Sequence, residues 1–246
     1  MKKIYCANAQ ASNFLWKNLT ICLRVLHNFI MDKKEISDSK SKLSFRAGWT
    51  IKLLWATIVL CAVVIPLILA INHAPSGLVA LIAIVGLFVL GAVFICCAVF
   101  YVMWLHVAAK NKFLFNKDGF IYDAKTGRNT FMMTPAWTVA WNFIPIVNFF
   151  MSYIAMKQIL FATKSKAYNS PDEDMKFIKW WWAMYILSNV VSSAVGLVFC
   201  IVYAVMTAKL VKKITDLQTA RLDALAADCE SVSDADIEVI PDSPQA

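Results

Sequence analysis

With 246 residues, a hydrophobic fraction of 60%, only 16% charged residues and a formal net charge of +8, the chain is too apolar for a soluble globular protein. Its length holds one membrane domain with modest tails and excludes an added soluble catalytic domain. The basic charge flanks apolar stretches, so a positive-inside bias and contact with anionic lipid account for it, and nucleic-acid binding is set aside.

The charge is uneven. Residues 1–54 carry ten Lys or Arg against three acidic residues, whereas 216–246 carry eight acidic residues and only Arg221. Seven cysteines (Cys6, Cys22, Cys61, Cys96, Cys97, Cys200 and Cys229) form no CxxC and are odd in number, which argues against a disulfide framework or a zinc site. They read as small packing residues.

In chain order, 14–31 shows helical period, with Lys17, Arg24 and His27 on one face and Leu15, Leu19 and Leu26 on the other. This predicts an amphipathic helix on the membrane surface, with a translation start at Met31 as the competing reading. Residues 32–44 read as a polar linker. Charge-poor stretches at 53–71, 78–109, 129–156 and 180–208 are each long enough, allowing for ragged ends, for the roughly 20 residues that cross a bilayer. Pro66 should bend the first, and the uncharged 72–77 turn makes the second its antiparallel partner. Between the second and third, 110–128 holds five basic residues and the turn signals Asp118–Gly119 and Thr126–Gly127, which suggest a short hairpin.

The third stretch, 134–160, breaks the rules for a span. Pro145 lies at its middle between Asn142 and Asn148, and cannot donate to the carbonyl of Trp141. In hydrocarbon that carbonyl needs another partner, so the segment should face protein or a wet cavity. The fourth stretch opens on Trp180–Trp181–Trp182, an interfacial aromatic anchor. Ser188, Ser192, Gly196, Cys200, Ala204 and Ala208 follow at four-residue intervals, a small-residue ladder that favours one unbroken helix packed closely on another. Leu210, Ile214, Leu217 and Leu225 extend it into water, and the acidic tail after Ala227 reads as disordered.

The expected fold is an all-α membrane protein: a four-helix transmembrane bundle with a Pro-kinked third span, plus an N-terminal amphipathic helix. Its parts are a basic segment at 1–47, a four-span domain at 48–215 and an acidic tail at 216–246. The positive-inside rule places both termini and 110–128 in the cytoplasm, and 72–77 and 163–179 outside. The lysines of 163–179 would also suit the cytoplasmic side, in which case 134–160 is a re-entrant hairpin broken near Pro145.

Three blocks resemble a bacterial membrane family of uncharacterised role, domain of unknown function 4328. Pro135, Trp137, Trp141, Pro145, Ile146, Asn148, Tyr153, Ala155 and Met156 fall on its central signature, and 104–111 and 180–189 resemble two further segments in the right order. The sequence departs from the pattern at Ala136 and Asn142, where the family carries Gly and usually Trp. It also lacks an insert that commonly follows the block at Asn189. The resemblance implies a multi-pass protein of the bacterial cytoplasmic membrane and brings no activity.

On a helical wheel Thr134, Thr138, Trp141, Asn142, Pro145, Asn148 and Ser152 share one side, with Asn189 able to face them from the last span. The functional reading is a polar stripe along a solute path. The plainer one is that these groups satisfy the Pro145 break and bond between helices. No apolar stretch contains Asp or Glu, and HExxH, GxSxG, Walker A and GxGxxG motifs are missing, so no enzyme activity, cofactor or metal is expected. The leading expectation is an accessory or scaffold subunit acting by helix–helix association, as a homo-oligomer or with other membrane proteins. The alternative is a transporter or channel subunit for an uncharged small solute, lined by the kinked third span.

Overall fold

The computed structural model describes residues 2–73, 77–116, 120–123, 128–164, 171–191 and 194–237, with side chains from Lys33 onward at most of these positions. The described elements are α1 (Lys2–His73), α2 (Gly77–Phe115), the hairpin β1 (Phe120–Asp123) and β2 (Arg128–Phe131), α3 (Pro135–Ala140), a 3₁₀ turn (Trp141–Phe143), α4 (Pro145–Thr163), α5 (Pro171–Val190) and α6 (Ala194–Ile237). α1, α2 and α6 contain the three stretches long and apolar enough to cross a membrane. The anticipated hairpin forms, antiparallel, with Phe120 opposite Phe131 and Asp123 opposite Arg128.

Two compact units make up the chain. The smaller joins Met1–Lys40 to Leu222–Ala246, and within it Lys40 Nζ meets Asp223 Oδ1 at 2.5 Å. α1 runs through 32–44 and α6 runs on to Ile237, so neither the linker nor most of 216–246 lacks secondary structure. The side chains of the expected amphipathic helix, and residues 238–246, lie outside the described residues.

The larger unit, Ser41–Arg221, departs from the expected bundle in two places. First, 134–160 is no single kinked span. α3 ends at Ala140, Ile144 leaves helical geometry with φ −100° and ψ 107°, and α4 starts afresh with Pro145 in its first turn. Proline suits a first turn because its missing N–H is unpaired there anyway. Second, the fourth stretch is two helices. α5 stops at Val190 and α6 begins at Ala194, so the small-residue ladder does not run along one helix.

Side-chain partners give the helix directions. Arg46 Nη1 donates to the Met103 carbonyl at 2.9 Å, Trp49 stacks on Phe100, and Gly86 lies against Val64, so α1 and α2 are antiparallel. Lys112 reaches Gln158 and Asn116 reaches the Ala162 carbonyl, each 46 residues on, so α2 and α4 are parallel. Trp181 bonds Thr207 and Tyr185 packs on Tyr203, so α5 and α6 are antiparallel. α2 and α4 therefore leave at one end of the unit. Met133 N donates to Gln158 Oε1 at 2.9 Å, so α3 and α4 form a helical hairpin that returns toward the end at which it starts.

This arrangement sorts charge. No Lys, Arg, Asp or Glu occurs in 53–109, 129–156 or 180–208, and each of these stretches holds parts of two successive helices, α1 and α2, α3 and α4, and α5 and α6. Charged side chains of the unit gather at the opposite end from the turns. There the helices converge on a core of Leu43, Trp104, Met156, Ile178, Trp181 and Ile214, all buried. Above it a smaller cluster joins Leu54 of α1, Cys97 of α2, and Ala204 and Ala208 of α6.

From that cluster the helices rise to unequal heights. α1 continues from Leu54 to His73 and α2 starts at Gly77, about 28–30 Å above at 1.5 Å per residue. α6 starts at Ala194, only about 15 Å above Ala204. The upper parts of α1 and α2 expose apolar side chains, among them Val63, Leu69, Leu81 and Phe88. Trp49, Trp55 and Trp180 are exposed near the level of the small cluster, with Lys52 Nζ 5.3 Å from the Trp49 ring.

Candidate functional site

The polar stripe is brought together in large part, and it is wired to itself. Thr134 caps α3, its hydroxyl accepting from Trp137 N, and its carbonyl accepts from the Thr138 hydroxyl at 2.9 Å. Asn142 Nδ2 donates to the Thr138 carbonyl at 2.8 Å, filling a position left open where α3 ends. The Trp141 carbonyl, freed by Pro145, accepts from Ile144 N at 3.4 Å. On α4 the buried Ser152 hydroxyl lies 3.1 Å from Asn142 Oδ1 and also contacts Asn148 Oδ1. Asn148 Nδ2 lies 2.8 Å from the Tyr185 hydroxyl of α5.

A single hydroxyl proton on Ser152 cannot serve both amide oxygens. With the Asn148 amide turned over, Tyr185 donates to Asn148, Asn148 to Ser152, Ser152 to Asn142, and Asn142 to the Thr138 carbonyl. Asn and Gln amide orientation follows from the network, and this one satisfies every member. The chain thereby joins α3, α4 and α5 with matched donors and acceptors, which is what polar side chains do as glue between helices in hydrocarbon. Replacing Asn142 or Asn148 with Leu strands its neighbours' polar atoms. Each should cost about 1–3 kcal/mol in a thermal-unfolding series, and the pair should be less than additive.

Other members of the stripe go elsewhere. Trp141 stacks on Trp137 at 4.9 Å, and Pro145 only opens α4. Asn189 is exposed and bonds within its own helix, to the Tyr185 carbonyl at 2.7 Å and to Ser188. The ladder is spent inside the unit. Ala204 and Ala208 pack on α1 and α2, Cys200 is half-buried, the Ser188 hydroxyl donates to the Tyr185 carbonyl, and Ser192 lies outside the described residues. Gly196 is buried below the α5–α6 turn, where a Cβ would collide with the Val191 carbonyl oxygen.

A second polar group, at the charged end, carries no sequence motif. Gln218 of α6 donates to the Ala108 carbonyl and to Thr163 Oγ1, both at 3.1 Å, and accepts from Asn111 at 3.2 Å. Gln158 accepts from fully buried Lys112 at 3.3 Å and from Met133 N, and donates to the Phe131 carbonyl, which fixes the exit of the β-hairpin. Arg221 donates to the carbonyls of Phe115, Ala162 and Thr163, closing the ends of α2 and α4 together. Asp174 is buried between Lys164 and Lys213. Burial pushes its carboxyl up, but the hydrogen bonds from the two lysines outweigh that and hold it below the ordinary carboxylate range. Amides and single charges bounding an apolar run were the only signal for this network. Among the described residues no group of three His, Cys, Asp or Glu could hold a metal ion.

The family described as Domain of unknown function (DUF4328) matches residues 72–217, more than half of the chain. The chain belongs to that family. The DUF4328 match takes in all of α2, both shorter hairpins and α6 through Leu217, and so includes the whole polar chain and most of the charged-end network. No curated protein and no solved structure matches.

Proposed function

We propose that this chain is a membrane-embedded accessory or scaffold protein with no catalytic activity of its own. The observation that supports this most is the closure of the polar stripe. Thr138, Asn142, Asn148 and Ser152 bond to one another and to Tyr185, and so hold three helices in place instead of lining a path. In this reading α1 and α2 cross the bilayer, while the α3–α4 and α5–α6 hairpins enter from the face bearing the charged end. That face is cytoplasmic by the positive-inside rule, with both termini on the same side. The association surface is the exposed apolar upper part of α1 and α2, since the small residues of α6 are already used within the chain.

A transport role draws on one feature, the re-entrant α3–α4 hairpin with amides near its tip, a form that solute paths also use. Solute flux in vesicles containing the chain, abolished by Asn142→Leu without loss of folding, would favour that role over the scaffold. Topology is tested by cysteine labelling. Lys176 is exposed on α5, and Lys176→Cys in a background without other cysteines should resist an impermeant reagent in intact cells and label after lysis. Labelling from outside would return the α4–α5 connection to the external face and overturn the topology.

A further inference from the structure

We infer that the larger unit is a wedge that responds to membrane curvature and accumulates where the leaflet facing its charged end is convex. The inference rests on the topology proposed above and adds an activity to it. At the level of Leu54, Cys97, Ala204 and Ala208, α1, α2 and α6 pack together, and α4 and α5 are joined to them through the Trp181–Thr207 and Trp182–Phe149 contacts. About 15 Å higher α6 has ended, and α5 ends at the same turn. Above that turn, among the described residues, only α1 and α2 continue, to His73 and Gly77.

Each helix with its side chains is about 10–12 Å across, or roughly 80–110 Å² in section. The leaflet on the charged side therefore accommodates about three more helices than the opposite one, an excess of roughly 250–350 Å². The turn regions are suited to stay in lipid. The α3–α4 hairpin turns apolar side chains outward at Phe143, Ile144 and Phe150 and keeps its amides inside. Val190, Val195 and Val198 flank the α5–α6 turn and are exposed. Insertion of apolar surface into one leaflet makes binding sensitive to curvature, and here the insertion is a fixed part of the fold.

The test uses the full-length chain, fluorescently labelled and reconstituted into giant vesicles from which narrow membrane tubes are pulled. Orientation is read in the same sample by labelling Lys176→Cys with an impermeant reagent. Molecules with the charged end outward should be enriched severalfold in the tube over the parent vesicle, and the enrichment should grow as the tube narrows. Equal density in tube and vesicle, with Lys176→Cys and the hairpin region labelled from the same face, would overturn the wedge and leave the topology standing. Labelling of those two sites from opposite faces would overturn the topology and the wedge with it.

Discussion

Gly196→Ala should destabilise the protein by more than about 2 kcal/mol, although it adds only one methyl group to a helix. The added Cβ collides with the carbonyl oxygen of Val191, which is backbone and has no rotamer to move into. Relief requires the Val191 carbonyl, at the end of α5, and Gly196, in the first turn of α6, to move apart. Helix propensity alone predicts the opposite, since Ala is favoured over Gly by about 0.5–1 kcal/mol within a helix. Thermal unfolding in detergent, followed by circular dichroism, decides between them. A Gly196→Ala protein as stable as the parent would show that the Val191 carbonyl can move aside at little cost. Gly91, with open space where its Cβ would stand, is the matched control, and Gly91→Ala should be neutral or slightly stabilising.

Asp174→Asn should destabilise the protein by about 3 kcal/mol, because it removes the buried carboxylate that both Lys164 and Lys213 contact. Lys213 is 45% exposed and returns to water, so its share of the loss is the smaller one. Lys164→Met with Asp174→Leu, which removes the buried pair, should recover part of the loss. The clamp also fixes the acid response. A carboxyl held below its ordinary value contributes stability that is complete above the unfolded pKa and lost as pH falls through the folded one. Stability should thus hold from neutrality down to about pH 4 and fall below that, and the Asp174→Asn protein should lack this step. A mutant that kept the full acid transition would assign it to another group.

Much of the architecture was written in charge. The uncharged 129–156 stretch with Pro145 at its centre announced a break, and Asp118–Gly119 and Thr126–Gly127 announced the β-hairpin. The α5–α6 turn was harder to see. It falls near Val190, Val191, Ser192 and Ser193, with no Pro or Gly in the turn itself, and the residue that permits it, Gly196, sat in a four-residue period that also suits a continuous helix. Length held the missing clue. Twenty-nine uncharged residues would make a helix of about 43 Å, well beyond the roughly 30 Å hydrocarbon core. The polar stripe was legible as one side of a single helix over 134–160, whereas its division between α3, the 3₁₀ turn and α4, and its closure on Tyr185, were not. Gln158, Gln218 and Arg221 were invisible as a group because they come from distant parts of the chain and meet only when α2, α4 and α6 converge.

The clustering of every hairpin's ends at one pole bears on how the protein is made. In the topology proposed above, 53–109, 129–156 and 180–208 each enter from that pole as an uncharged stretch, and no ammonium, guanidinium or carboxylate has to be carried through the bilayer. In that topology, only the link between His73 and Gly77 has to be delivered across the membrane. The hairpins can enter one after another as the ribosome releases them. Arg221, which joins the carbonyl ends of α2 and α4, follows both helices in the chain and so leaves the ribosome after them.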